Sequence, residues 1–352
     1  MGRSVKLCLA AGALGIGLGG ELNTGLTLAQ SWDVNARLVT QTLTAVGAPE
    51  HPGNAGQVRQ LNRREYGYRA DGYVTQITDE LTGTRRYDLD PAGRVTAVSG
   101  AGWTERYVYD PAGNITHASW PGDTSAQDTS SVAAQGDREY SGTMIRRAGR
   151  VRYEHDVQGR VTLRQQKRLS AKPLTWRYTW DAQDRLVEVL TPAGERWRYL
   201  CDPLGRRIAK QRLADDGESV TEQIDFTWDG AVLAEQVAAD GDALTWDYQP
   251  GTFRPLSQIE SQAAERSVDD LTQDEIDARY HVIVTDLVGT PYELADESGA
   301  LRPIIRSSLW GIGAPVDANG RPVCPLRFPG QFRDEESGLT YNYLRHYDSE
   351  AG

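Results

Sequence analysis

One short phrase recurs down this 352-residue chain: an aromatic, an aspartate, two spacers, a glycine, an arginine or asparagine, and an aliphatic. It reads Tyr87-Asp88-Leu89-Asp90-Pro91-Ala92-Gly93-Arg94-Val95, then Tyr109-Asp110-Pro111-Ala112-Gly113-Asn114-Ile115. It returns at Tyr153 to Val161, around Asp156 and Gly159, and at Tyr199 to Arg206, around Asp202 and Gly205. Looser copies stand at Trp32-Asp33, Tyr68 to Gly72, Trp180-Asp181 and Trp228-Asp229-Gly230. Self-similarity at about 20 residues or a multiple of it marks an array of small supersecondary units, none of which can bury its apolar face alone.

Each unit carries its own folding instructions. Asp can accept from backbone N–H groups two residues on, Pro fixes φ at the next position, and Gly takes a site with φ above zero. The segments between turns, such as Arg94 to Val98, Glu105 to Tyr109 and Arg160 to Arg164, alternate in polarity as half-buried strands do. The expectation is an all-β chain of hairpin modules, packed neighbour on neighbour. Composition agrees: 36 Gly and 16 Pro supply turns, and 16 Tyr with 9 Trp against 4 Phe suit sheet faces that are apolar in body and polar at the tip.

A net charge of −11 argues against nucleic acid, which requires a clustered basic face. Cys8, Cys201 and Cys324 lie far apart and are expected as buried small side chains rather than a disulfide framework. The five histidines show no metal-ligand spacing, so neither metal nor cofactor is expected.

Four regions divide the chain. Residues 1–29 read separately: Arg3 and Lys6 precede an apolar Leu7–Leu18 run of signal-peptide character, the alternative being a disordered start. Residues 30–265 hold the array, interrupted by a Ser-, Thr- and Asp-rich stretch, Pro121 to Gly136, expected as a long surface loop. Residues 266–278 are an acidic insertion, either a helix capped by Ser267 or a solvated excursion. Residues 279–352 differ in composition, with an apolar strand His281–Val284, a turn at Asp286–Pro291 and a closing run Leu326-Arg327-Phe328-Pro329-Gly330-Gln331-Phe332-Arg333-Asp334 continuing to Tyr347-Asp348.

These residues carry a resemblance. The Tyr-x-x-Asp-x-x-Gly-Arg units resemble YD repeats, and the last region is similar to the associated core that ends the array in bacterial Rhs proteins. Thr285-Asp286-Leu287-Val288-Gly289-Thr290-Pro291 resembles the family motif Thr-Asp-His-Leu-Gly-Thr-Pro, departing from it at Leu287 and Val288. The resemblance implies that the array forms a curved, spiralling sheet, part of an Rhs-type shell that encloses or presents a C-terminal toxin or effector, works with a secretion apparatus, and acts outside the cell or at its surface. In many members the core also cuts itself at an aspartyl-protease-like site. Asp334 matches one acidic residue of that site, with Arg333 or Arg327 as the neighbouring arginine. The family's second aspartate, in an Arg-Phe-x-x-x-Asp-Pro context, has no match here, and an aspartyl dyad needs two carboxyl groups sharing a proton. Enclosure rather than turnover is therefore the expectation.

Bland readings stand beside each of these. Asp334 could be a surface carboxylate paired with Arg333. The repeat aspartates Asp90, Asp110, Asp156 and Asp202 belong to turns, where Asp is favoured anyway. The Tyr and Trp stripe is read as packing between hairpins, with a carbohydrate-binding adhesin as the alternative function. Open sheet edges would favour self-association.

Overall fold

The computed structural model describes residues 26–46, 58–121, 132–262, 280–296, 298–303, 308–313 and 323–352, together with the backbone of 3–9. Every regular element among them is a β-strand, as the alternation predicts. The acidic insertion at 266–278 lies outside the described residues.

The repeat builds its turn as its chemistry dictates. In the copy at Asp90, the carboxylate accepts from the N–H groups of Ala92 and Arg94, both at 2.9 Å, and the Gly93 N–H closes the turn onto the Asp90 carbonyl at 3.0 Å. Gly93 has φ +85°, the left-handed site that glycine occupies without steric cost. A register shift precedes the turn, between Asp88 and Leu89, and the pattern repeats at Val108/Tyr109, Glu154/His155 and Leu200/Cys201. A type I turn followed by a left-handed residue and a bulge is the favoured three-residue hairpin, and it adds twist at every module.

The arginine and the aromatic of the repeat then tie each module to its neighbour. Arg94 bonds its own Asp90 through Nε at 2.7 Å and reaches the Asp110 carbonyl of the next turn at 3.0 Å. Arg160 does the same with Asp156 and Asp181, and Arg206 with Asp202 and Gly230. In return the aromatic tip of the later module donates to the first strand carbonyl of the earlier one. Tyr109 Oη meets Val95 O at 2.9 Å, Trp180 Nε1 meets Val161 O at 2.7 Å, and Trp228 Nε1 meets Arg207 O at 2.7 Å. The aspartates are turn-makers and the aromatics are cross-ties.

Among the described residues each strand pairs antiparallel with the next in sequence, from Arg3–Leu9 through to Leu301–Pro303, giving one 24-stranded sheet that does not close on itself there. The ladder thus already runs through Leu26–Trp32 and, by backbone pairing, Arg3–Leu9, ahead of residue 30. A three-stranded sheet, Phe332–Arg333, Thr340–Asn342 and Arg345–Tyr347, stands apart from it.

The long sheet curls until its ends meet face to face. Leu26, Leu28, Leu43 and Ala45 pack against Tyr280, Val282, Val284 and Ala295. On the other face of the same strand, Ile283 joins Phe226, Trp246, Leu326 and Phe332. Strand Tyr280–Thr285 is consequently buried at every position, which accounts for its unbroken apolar run. The concave face is filled by the C-terminal segment: Leu339 packs on Tyr178, Val189 and Trp197, and Ala351 on the cluster of Tyr107, Val151 and Tyr153. Within Pro121–Gly136, residues 122–131 lie outside the described residues. Ala133 and Ala134 belong to this last cluster and are fully buried, so that end of the stretch is core rather than the expected surface loop.

Candidate functional site

Asp334 follows the short strand Phe332–Arg333 and is fully buried. It is not a surface carboxylate beside Arg333. Its partner is Arg207, 127 residues away in sequence, whose Nη1 lies 2.7 Å from Oδ1 and 2.5 Å from Oδ2. The Arg207 guanidinium is sandwiched between the rings of Tyr199 and Tyr341, at 4.2 and 4.1 Å from their centroids. Its Nη2 meets His346 Nε2 at 3.2 Å. Burial opposes the charge on Arg207, yet Asp334 outweighs it and holds the guanidinium above its ordinary range. Burial, reinforced by Arg207, drives His346 down to about 3, so the ring is neutral and Nε2 accepts.

Lys210 extends the cluster. Its Nζ lies 2.9 Å from Glu336 Oε2 and 3.6 Å from Asp334 Oδ1, and Tyr199 Oη donates to Glu336 Oε1 at 2.8 Å. Burial lowers the ammonium, but Glu336 and Asp334 together raise it overall. Trp176 and Tyr178 close the row, donating to the Glu336 and Ser337 carbonyls at 3.1 and 2.9 Å. A carboxylate with no exposed surface, both oxygens accepting from one guanidinium, is a fastening between segment and sheet.

A second fastening lies further along. Arg164, stacked on Trp176 at 4.6 Å, pairs with Asp348 at 3.6 Å and with Glu350, while Tyr153 Oη donates to Asp348 at 2.8 Å. A third joins the two ends of the long sheet, where Arg64 pairs at 2.6 Å with both Asp79 and Glu293. In all three the sheet supplies the cation, and in the first two the C-terminal segment supplies the anions.

The sequence left Arg207, Lys210 and Arg164 unmarked. The signal for Arg207 was present, since the slot after Gly-Arg holds an aliphatic elsewhere (Val95, Val161) but an arginine in Gly205-Arg206-Arg207. A charge in a core slot requires a buried partner. Of the two candidate arginines near Asp334, Arg327 is buried and bonds the Cys324 and Leu326 carbonyls through Nη1, and Arg333 borders a cavity.

That cavity, about 1010 Å³, lies between the sheet and the segment. Glu195, Lys210, Glu222 and Gln236 border it from the sheet, with Arg333 and Glu335 opposite. Its walls are mixed, with these charged groups interleaved with apolar residues such as Trp197, Leu244 and Phe332. The large exposed aromatics among the described residues are Tyr73 and Phe253. Many other Tyr and Trp tips serve the cross-ties or bond the C-terminal segment.

Comparison with known proteins agrees with this geometry. The RHS Repeat family model matches residues 90–122 and 180–218. The double-stranded DNA deaminase toxin A of Burkholderia cenocepacia (strain H111) is 32% identical over 307 residues, covering 82% of this chain and 20% of the toxin. A probable deoxyribonuclease, RhsA of Dickeya dadantii (strain 3937), is 30% identical over 338 residues, 89% of this chain and 22% of that protein. The chain therefore spans about a fifth of these relatives. Among solved structures, the TcdB2-TccC3-Cdc42 crystal structure superposes with a TM-score of 0.63 at 15% identity, covering 94% of this chain and 17% of that one, a likeness of fold.

Proposed function

Because the chain is a YD-repeat protein of the Rhs family, we propose that it is a length of wall in a toxin-delivery shell, enclosing or presenting an effector outside the producing cell or at its surface. The observation that carries this reading is one unbroken antiparallel sheet, curled around a segment of its own chain and keeping a cavity of about 1010 Å³ between the two. Such a wall needs no turnover. Its repeats supply curvature, and its cross-ties hold neighbouring modules in register. The toxin names of the relatives support an effector as partner, and delivery implies a secretion apparatus. The carbohydrate-binding reading lacks a comparable support, since the aromatics are spent on packing.

The test is protection. A peptide carrying a specific protease site is fused after Gly352, and its cleavage is followed in native buffer and in denaturing urea, with the same peptide on an unrelated folded protein as control. Cleavage at least tenfold slower than the control, restored by urea, is the expected result. Cleavage at the control rate in native buffer overturns the reading.

A further inference from the structure

Arg327 is 7% exposed and has no carboxylate partner among the described residues. Its Nη1 is satisfied by two carbonyls, Cys324 at 2.7 Å and Leu326 at 2.8 Å. Its Nε and Nη2 are buried and have no hydrogen-bond partner. Arg64, Arg164, Arg207 and Lys210 each face an acid, whereas Arg138, buried to the same degree, shares the lack of an ion pair but bonds the Glu350 carbonyl and lines neither of the voids beside Arg327. A buried charge left uncompensated is costly, and the cost is relieved when an anion or a chain of hydrogen bonds completes it.

The guanidinium borders two small voids. One, about 20 Å³, lies against Phe328, Gln331 and Tyr341. The other, about 10 Å³, is lined by Thr290, Thr340 and Ser349 beside Gly311 and Phe328, and by Tyr347, whose hydroxyl donates to the Trp310 carbonyl. The Thr290 hydroxyl and the Gln331 amide oxygen are also buried without a partner. Two groups with donors to spare, the Arg327 guanidinium and the Thr290 hydroxyl, thus border space the size of one atom or one water, and the Gln331 amide oxygen beside them can only accept. Burial, with Arg333 nearby, lowers the Arg327 guanidinium to about 10, in keeping with a cation that lacks its counter-ion.

We propose that Arg327 is the anchor of a site for one compact anion, of the size of a halide or a single carboxylate oxygen. Nε and Nη2 donate to it, and the Thr290 hydroxyl lies beside it. The two voids exclude tetrahedral oxyanions such as sulfate. Neither chloride nor a carboxylate alters any covalent bond here; the site is one of binding only. It borders the turn Asp286–Thr290 and the strands Thr340–Asn342 and Arg345–Tyr347, so an occupant ties the closing segment to the end of the long sheet.

The test is thermal unfolding of the full chain in sodium chloride, sodium formate and sodium gluconate at matched ionic strength. A saturable rise in Tm of about 2 °C or more in chloride or formate over gluconate is expected. The Arg327→Gln variant loses that difference, and Arg152→Gln, an exposed arginine in the strand Val151–His155 paired with Glu154, keeps it. A rise in chloride alone identifies a free halide, and a rise in formate alone identifies a carboxylate as the natural occupant. Should Arg327→Gln fail to fold, crystals of the unaltered chain soaked in bromide decide the matter through an anomalous peak within hydrogen-bond distance of Arg327. Equal Tm in all three salts, with water in place of bromide at Arg327, overturns the proposal.

Discussion

Ala36 stands in the slot that Gly93, Gly113, Gly159 and Gly205 occupy in other modules, and it is held at φ +58°. An L-residue there bears a cost that glycine does not. Ala36→Gly should stabilise the chain by about 1 kcal/mol, read from the urea midpoint at unchanged slope. Asp184 shares the strain at φ +62° but recovers part of it through Arg160 at 2.9 Å, so the gain at that site should be smaller. His346 makes a pH-dependent contribution. Its folded pKa, about 3, lies below the ordinary value, so its stability term is complete above about 6.5 and fades as pH falls toward 3. Between about pH 6.5 and 4.5, before carboxylates titrate, stability should fall by up to about 1.4 kcal/mol per pH unit. His346→Gln should flatten that slope in urea melts across the same window. These local devices differ in how openly the sequence displays them. The turn aspartates and glycines lie within five residues of what they bond, so their roles follow from spacing alone. Asp334 gives no such clue, because its partner Arg207 is set by how the sheet curls. Only the displaced aliphatic at Arg207 hints that a buried acid must exist somewhere.

At the scale of the element, the hairpin module is two strands and a bulge, joined to its neighbours by side chains as well as by the ladder. Arg94 serves both purposes, bracing Asp90 and reaching the Asp110 carbonyl. Arg94→Met should cost about 1–2 kcal/mol, chiefly through the lost hydrogen bonds, because the half-exposed ion pair adds little in water. Hydrogen exchange should quicken in the strands Gly83–Leu89 and Trp103–Tyr109 and remain unchanged in Arg196–Cys201. Module boundaries were legible from the repeat. The strand Tyr280–Thr285 was legible as apolar, but its burial on both faces was not, since one covering layer comes from residues near the start of the chain.

Across the whole molecule, the sheet and the C-terminal segment form one unit, held by oppositely charged fastenings spaced along the segment. Arg207→Met leaves Asp334 with only Lys210 at 3.6 Å, and Arg164→Met leaves Asp348 with the Tyr153 hydroxyl and takes the cation from Glu350, each in a buried setting where loss of one partner costs up to about 3–5 kcal/mol. Both variants should lower a single unfolding transition, reported alike by tryptophan fluorescence and by protease resistance of residues 323–352. Two separated transitions would show instead that segment and wall melt independently. The double variant Arg207→Met with Asp334→Leu should recover most of the loss, because an apolar pair leaves no orphaned charge.

The meeting of Leu26, Leu28, Leu43 and Ala45 with Val282, Val284 and Ala295 also sets a timetable for biosynthesis. The first partners leave the ribosome some 240 residues ahead of the last, so at about 5–20 residues per second their apolar face stays uncovered for roughly 12–50 seconds. A nascent chain in that interval is a ribbon with one greasy side, and it is then that a chaperone has the most to offer it.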